Sequence, residues 1–392
     1  MNRIGQIAQD PNVQTALASF AENKDDLLEM IVAIQQIPSP TFEEKERAAF
    51  IEARFLDLCL QDVEQDSLHN VYGRLPGRDP TSAMPVIISA HSDTVFPSDT
   101  DLTVTQDGRY FYGPGIGDNA AGVAGLLILA QAIQEFRLKP AADLWFLSNV
   151  GEEGLGDLRG MRAAVQRFGQ RATYIVVEGG SFGQITHEAI GVQRFRIEIS
   201  TPGGHSWGNF GAPSATHELG HLIAAIDGLR VPASPRTSFN VGIVEGGTTI
   251  NSIAASASLL LDLRSEEMEE LERLVAQVRN IVDDRQKRAK KAGRTVEFRM
   301  EQVGNRPAGR ISRDNPLVRL AESALHYVGC SPITYIAGST DANIPLSQGL
   351  RSVCIGLARS GQSHRQDEFI EPADLPLGMK QLLLLTLASA DF

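Results

Sequence analysis

Four short apolar runs, each bounded by polar or glycine-containing turns, limit what this chain can fold into. They are "PVIISA" before His91, "DLWFLSNV" before Gly151, "TYIVVE" ending at Glu178, and "SVCIGL" near the C-terminus. Helical periodicity fills residues 119–136 and 158–168 between them, and amphipathic stretches at 12–38 and 42–60 precede them. Apolar strands alternating with helices predict an α/β domain whose mixed, largely parallel sheet lies between helices.

The character changes at about residue 190. "QRFRIEIS" alternates like a strand with one face in water, a helix is expected at 214–228, and "TSFNVGIVE" and "ASASLLLDLR" read as strands. A charged helix over 266–291 and the strand "TVEFRMEQV" complete a β-α-β-β-α-β order, the pattern of a ferredoxin-like α+β unit. The α/β pattern then resumes. The expectation is a discontinuous domain of residues 1–189 and 306–392, interrupted by an inserted domain at 190–305.

Composition narrows the function classes. A net charge of -12 over 392 residues argues against nonspecific binding to nucleic acid or anionic membrane. Cys59, Cys330 and Cys354 are odd in number and far apart, so they provide neither a disulfide framework nor a C-x-x-C metal site. The first thirty residues lack a basic segment followed by an apolar run, so no signal peptide is expected. "AAGVAGLLILAQAIQEF" is interrupted by Gln and Glu short of the ~20 residues of a membrane span. A cytoplasmic protein is the default expectation.

Potential ligands collect just beyond the apolar runs. His91 and Asp93 follow the first in "AHSDTV", Glu152 and Glu153 follow the second in "NVGEEG", and Glu178 ends the third. His364 lies in the loop after the fourth, in "GQSHRQDEF", and Asp118 in "GPGIGDNAAG" opens the helix at 119–136. Sites in open α/β sheets form outside the carboxyl ends of strands. One acidic residue after a strand is usually a turn or cap residue. Five segments converging on one sheet edge are a different signal.

Such a cluster suits two divalent metals roughly 3.5–4 Å apart, which can share a carboxylate and a water, acidify that water and polarise a carbonyl. Zinc accepts imidazole nitrogen and carboxylate oxygen well, and cobalt and manganese suit the same donors. His91 and Asp93, two apart on an extended segment, point the same way, which suits a carboxylate orienting a ligand imidazole. The adjacent Glu152 and Glu153 diverge, which suits one ligand and one general base.

"HSDTV", "GIGDNAAG" and "GEEGLG", followed by Glu178, "GGHS", "GSTDA" and the late His364, resemble the di-zinc exopeptidase and deacylase family of carboxypeptidase G, aminoacylase, acetylornithine deacetylase and tripeptidase T. The likeness runs over essentially the whole chain. It implies a first zinc on His91, Asp118 and Glu178, and a second on Asp118, Glu153 and His364, with Asp118 bridging. Asp93 would support His91, and Glu152 would take the water's proton and pass it to the leaving amine. The resemblance also implies a cis peptide at Asp118-Asn119 and a lid in the inserted domain that commonly forms a homodimer.

Within that lid, His205 in "TPGGHSWG" resembles the family's imidazole that stabilises the tetrahedral intermediate, often from the partner subunit. An oxyanion donor is worth ~3 kcal/mol in other enzymes; the alternative is a surface loop histidine. Asn251 and Arg264 match positions that hold the substrate's carbonyl and carboxylate, although an Arg at a strand end is often only a surface charge. Ser339 and Thr340 in "AGSTDA" line the same pocket or form a tight turn. The chain departs from the family at "NSIA", with Ala254 where proline is usual, and after His205, which bears on substrate choice.

The expected activity is hydrolysis of an amide bond in a small carboxylate-bearing peptide, with N-acyl amino acid deacylation as the competitor. A catalytically dead binding protein on the same fold is the remote third reading.

One motif points elsewhere. "THELGHLI" contains His217-Glu218-Leu219-Gly220-His221, a literal H-E-x-x-H zinc-protease pattern. On a helix, Leu219, Leu222, Ile223, Ile226 and Leu229 share one face and both histidines fall on the opposite one. Ala224 and Asp227 stand where a longer zinc motif needs Gly and His, so the histidines are expected to face solvent or a partner. "GPGIGD" is not G-x-G-x-x-G, "DDRQKRAKKAGR" reads as a solvated helix face, and His69, His187 and His326 read as structural.

Overall fold

Strand Val86–His91 is buried at every position, as an apolar run in the middle of a parallel sheet must be. In the computed structural model, which describes residues 2–81 and 83–392, it pairs in parallel with Leu144–Asn149 on one side and Thr173–Glu178 on the other. Ser352–Gly356 continues the parallel set beside Thr173–Glu178. Antiparallel strands flank this centre: Val71–Leu75 and Gln61–Gln65 beyond Leu144–Asn149, and Gln184–Ala189 beyond Ser352–Gly356. The sheet is mixed and largely parallel at its core.

Helices cover it. Pro11–Glu22 is started by Asp10, whose carboxylate accepts the N–H groups of Asn12 and Val13, with proline in the first turn. The helix expected over 12–38 is two, because the chain breaks at Asn23 before resuming at Lys24–Gln35. Ala121–Glu135, with the turn before it, is long and apolar enough to cross a membrane, but 83% of its 18-residue apolar window is buried inside the fold.

The chain divides into two compact units, one running to Ala189 and resuming at Gly309, the other spanning Ile190–Ala308. The second unit is an antiparallel four-stranded sheet in the order Thr237–Gly246, Ser256–Ser265, Gly191–Ser200, Glu297–Arg306. Counted along the chain from the far edge, that is 4-1-3-2, the ferredoxin-like order. Strand Ser256–Ser265 alternates buried and less buried positions, and its inward leucines share a core with helices Ala215–Asp227 and Met268–Lys291.

Candidate metal centre

The parallel strands end at Asn149, His91, Glu178 and Gly356, so the residues just past them share one sheet edge. His91 is the last residue of its strand and is almost wholly buried. Its Nδ1 lies 3.1 Å from the Asp93 carbonyl oxygen and 3.6 Å from Asp93 Oδ1. With Nδ1 held there, Nε2 is the nitrogen turned toward the other carboxylates, where it would face a cation. Nε2 lies 3.1 Å from Asp118 Oδ1 and 3.6 Å from Glu178 Oε2.

Asp118 stands in an irregular turn, not in the first turn of the expected helix, which begins at Ala121. The peptide joining it to Asn119 is cis. Its second oxygen, Oδ2, lies 3.3 Å from His364 Nε2, and that nitrogen is 3.1 Å from Glu153 Oε1. Candidate ligand atoms of His91, Asp118 and Glu153 all lie within 4.8 Å of one another. One carboxylate therefore shows one oxygen to each imidazole.

His364 arrives by a different route from the one expected. It sits between strands Arg359–Gly361 and Phe369–Glu371, which pair with each other, the second also pairing with Tyr110–Tyr112, in a separate four-stranded sheet. That sheet's strands are three residues long, too short for a periodicity to show in sequence.

Around the donors lies a frame of hydrogen bonds that the sequence did not disclose. The Asp93 carboxylate is fully buried and accepts the N–H of Glu152 on Oδ1 and the N–H of Glu153 on Oδ2, both at 3.0 Å. The Thr41 hydroxyl donates to the same Oδ2 at 2.8 Å. Asn119 donates its amide to the Val177 carbonyl and accepts the N–H groups of Gly122 and Gly179, which ties the Asp118 turn to the strand carrying Glu178. Glu368 accepts the N–H groups of Gly115, Gly117 and Asp118 at 3.2, 2.9 and 2.8 Å, joining that turn to the His364 hairpin. Below them, buried Asp341 accepts the Asn149 amide at 2.6 Å.

The electrostatics follow from this crowding. Burial would raise the Asp118 carboxyl, but the imidazoles of His364 and His91 more than reverse it and hold it well below the usual range. Burial would lower His91, and the carboxylates of Asp118, Asp93 and Glu178 instead hold it well above its ordinary value. Asp118 and Glu153 raise His364 to about 10. Burial lifts Glu178 despite His91, with Asp118 and Glu153 adding like charge. Burial, with Asp118 close by, brings Glu368 to about 7 against its three N–H donors.

This cluster asks for positive charge. Two imidazole nitrogens and the oxygens of three carboxylates, with no thiol among them, are the donors that divalent transition metals of zinc's kind accept. The residues fit a two-cation site.

The lid residues separate into two places. Strand Gly204–His205 pairs with Ser252–Ile253, and the Ser206 N–H donates to the Asn251 carbonyl, so His205 and Asn251 stand together. His205 is exposed, and its Nδ1 accepts the N–H groups of Trp207 and Gly208, which leaves the proton on Nε2. Arg264 is near the far end of strand Ser256–Ser265, roughly 25 Å along it by strand rise. Its guanidinium donates to Asp262 at 2.6 Å. Thr340 behaves as a turn residue, its hydroxyl accepting the Ala342 N–H, and Ser339 is half-buried beside it.

In helix Ala215–Asp227, His217 and His221 are exposed while Leu219, Leu222 and Ile226 are buried. Glu218 points inward to an ion pair with Arg285 and a 2.8 Å bridge to Arg294. The glutamate and the histidines of "HELGH" face opposite ways.

The model of peptidase family M20/M25/M40 matches residues 87–388, well over half the chain. The chain belongs to this family. As an M20/M25/M40 member it is a metallopeptidase-type hydrolase of peptide or amide bonds, in a family that depends on dinuclear metal centres. It is 25% identical over 367 residues to the uncharacterised protein YqjE of Bacillus subtilis, covering 88% of this chain and 93% of that protein. It is 27% identical over 207 residues to carboxypeptidase G2 of a Pseudomonas species, covering 50% of this chain and 47% of that enzyme. A tripeptidase of Staphylococcus aureus shares the fold with a TM-score of 0.76 at 22% identity, covering 94% of this chain and 99% of that one.

Proposed function

We propose that the chain hydrolyses the amide bond of a small, carboxylate-bearing peptide at a two-cation centre. One cation would be held by His91, Asp118 and Glu178, the other by Asp118, Glu153 and His364. The observation that carries this reading is Asp118, whose Oδ1 faces the His91 imidazole and whose Oδ2 faces that of His364. Two divalent cations bound there, zinc above all, would acidify a water and polarise the substrate carbonyl.

The chain's own groups do the rest. Asp93 fixes the tautomer and the direction of His91. The same carboxylate takes the backbone N–H of Glu152 and so fixes where that side chain begins. Glu152 takes the proton of the attacking water and delivers it to the leaving nitrogen. His205, with its proton on Nε2, is a donor for the developing oxyanion. Asn251 and Arg264 would bind the substrate's carbonyl and carboxylate, and Ser339 and Thr340 would border the pocket.

The separation of Arg264 from His205 along the lid supports a homodimer in which each site takes groups from both chains. Edge strand Thr237–Gly246 leaves Ile243 and Val244 half exposed, and Ile250 just after it, with Trp207 and Phe210 elsewhere in the same unit, stands almost wholly in water. N-acyl amino acid deacylation on the same centre is the second reading, since a carboxylate-binding arginine serves both substrates.

The test is turnover of dipeptides, tripeptides and N-acyl amino acids by metal-loaded protein, beside Glu152→Gln. Turnover in the wild type with metal retained but turnover lost in the variant is expected. Activity surviving in Glu152→Gln would remove Glu152 as the base.

A further inference from the structure

Aromatic side chains are seldom left in water, and bulky residues seldom adopt positive φ. Phe42 does both, at 61% exposure and φ +80°. The fold holds it there deliberately. Its N–H donates to Glu44 Oε1 at 3.0 Å, and buried Glu44 is ion-paired with Arg159. The Arg159 guanidinium lies 4.5 Å from the centre of the Phe42 ring. Arg159 also fills the space over Gly151, which has φ +70° and where a Cβ would meet the arginine side chain. Gly151 is the residue before Glu152, so the ring is mounted through Arg159 on the backbone that carries the base.

Two more exposed apolar side chains belong to segments laced to this one. The Thr41 N–H donates to the Thr94 carbonyl, next to Val95, and the Ser98 hydroxyl donates to Glu43. The Thr41 hydroxyl lies 3.4 Å from the Glu153 carbonyl oxygen, two residues before Leu155. Val95 and Leu155 are 38% and 39% exposed. Three segments that run next to candidate ligands thus each leave an apolar group in water.

The geometry points to an apolar shelf, made by Phe42 with Val95 and Leu155, that receives a bulky apolar side chain beside the scissile amide. It names the substrate class as peptides or N-acyl amino acids with such a group next to the bond, and it rests on the hydrolase reading above. An apolar group laid against the ring leaves water in proportion to the area covered, whereas glycine gains nothing. The guanidinium stacked on the ring is paired with Glu44, so the shelf offers hydrocarbon and not an unpaired charge.

Calorimetric binding to metal-loaded Glu152→Gln tests the shelf apart from turnover. The probes are Phe-Gly, Gly-Phe and N-acetylphenylalanine against Gly-Gly and N-acetylglycine. At least one phenylalanine compound is expected to bind about tenfold or more tighter than its glycine counterpart. Adding Phe42→Ala should erase that ratio, and Phe42→Leu should keep most of it. The shelf is overturned by an absent preference, by a preference that survives Phe42→Ala, or by equal weakening of glycine and phenylalanine compounds. Failure of the wild type to hydrolyse any probe at full metal loading would instead count against the hydrolase reading.

Discussion

Two groups of histidine and glutamate in this chain compete to look like a metal site. One lies within five consecutive residues, His217 to His221, on a helix. The other is scattered from His91 to His364 over five segments. The compact group has its histidines in solvent and its glutamate tied inward to Arg285 and Arg294. The scattered group has its donors within about a hydrogen bond's reach of one another. Proximity along the chain is no measure of proximity in space. A helix spreads neighbours around its axis, whereas parallel strands gather their ends on one edge.

The sharpest way to break this comparison is metal counting. Wild type and the His217→Ala/His221→Ala double variant should each hold two metals and retain activity, measured by elemental analysis and turnover. Asp118→Ala should lose metal and about a thousandfold of activity, because its two oxygens face the two imidazoles. One metal in the wild type, lost with the helix histidines, would reverse the assignment. Next in size, Glu152→Gln should lower kcat by about 10²–10⁴-fold with metal content unchanged.

The pH dependence of metal uptake sharpens the same contrast. In metal-free protein the His364 imidazole, raised to about 10, is protonated throughout the neutral range. A cation must displace that proton, so affinity should rise about tenfold per pH unit for each proton released, up to about pH 10. The corresponding imidazole–carboxylate pairing stabilises the metal-free fold fully below about pH 6.5 and is lost as pH rises through about 10. Competition against a chelator at several pH values would measure this; a flat profile would contradict it.

Smaller effects probe the frame. Thr41→Val removes a hydroxyl from Asp93 and should weaken metal binding by about tenfold, in the range seen for groups that orient ligands elsewhere. Glu218→Gln should do nothing to metal content but should destabilise the lid by about 2 kcal/mol, since Arg285 and Arg294 lose their charged partner. A fall in Tm at constant metal loading is the expected readout.

What could be read in the sequence was what repeats or what clusters at strand ends. The apolar runs stand out because a central parallel strand is buried on both faces, and the lid strands because theirs alternate. Thr41 could not be read, since a lone threonine 52 residues before its partner carries no pattern. Glu368 sits in the quoted stretch around His364, but nothing local shows that three backbone N–H groups from residues 115–118 will converge on it. The break at Asn23 was hidden because the apolar spacing continues across it. The placement of Arg264 beside Asp262 and away from His205 depends on strand length and register, which a motif does not encode.

The Glu368 carboxylate has a further consequence. It clasps the turn bearing Asp118 to the hairpin bearing His364. Because this clasp is made of hydrogen bonds from backbone to carboxylate, one ion should exchange for another without refolding. Which metal such a protein carries would then follow from the supply around it and from ligand preference, and a chelated sample should be refillable with a different cation.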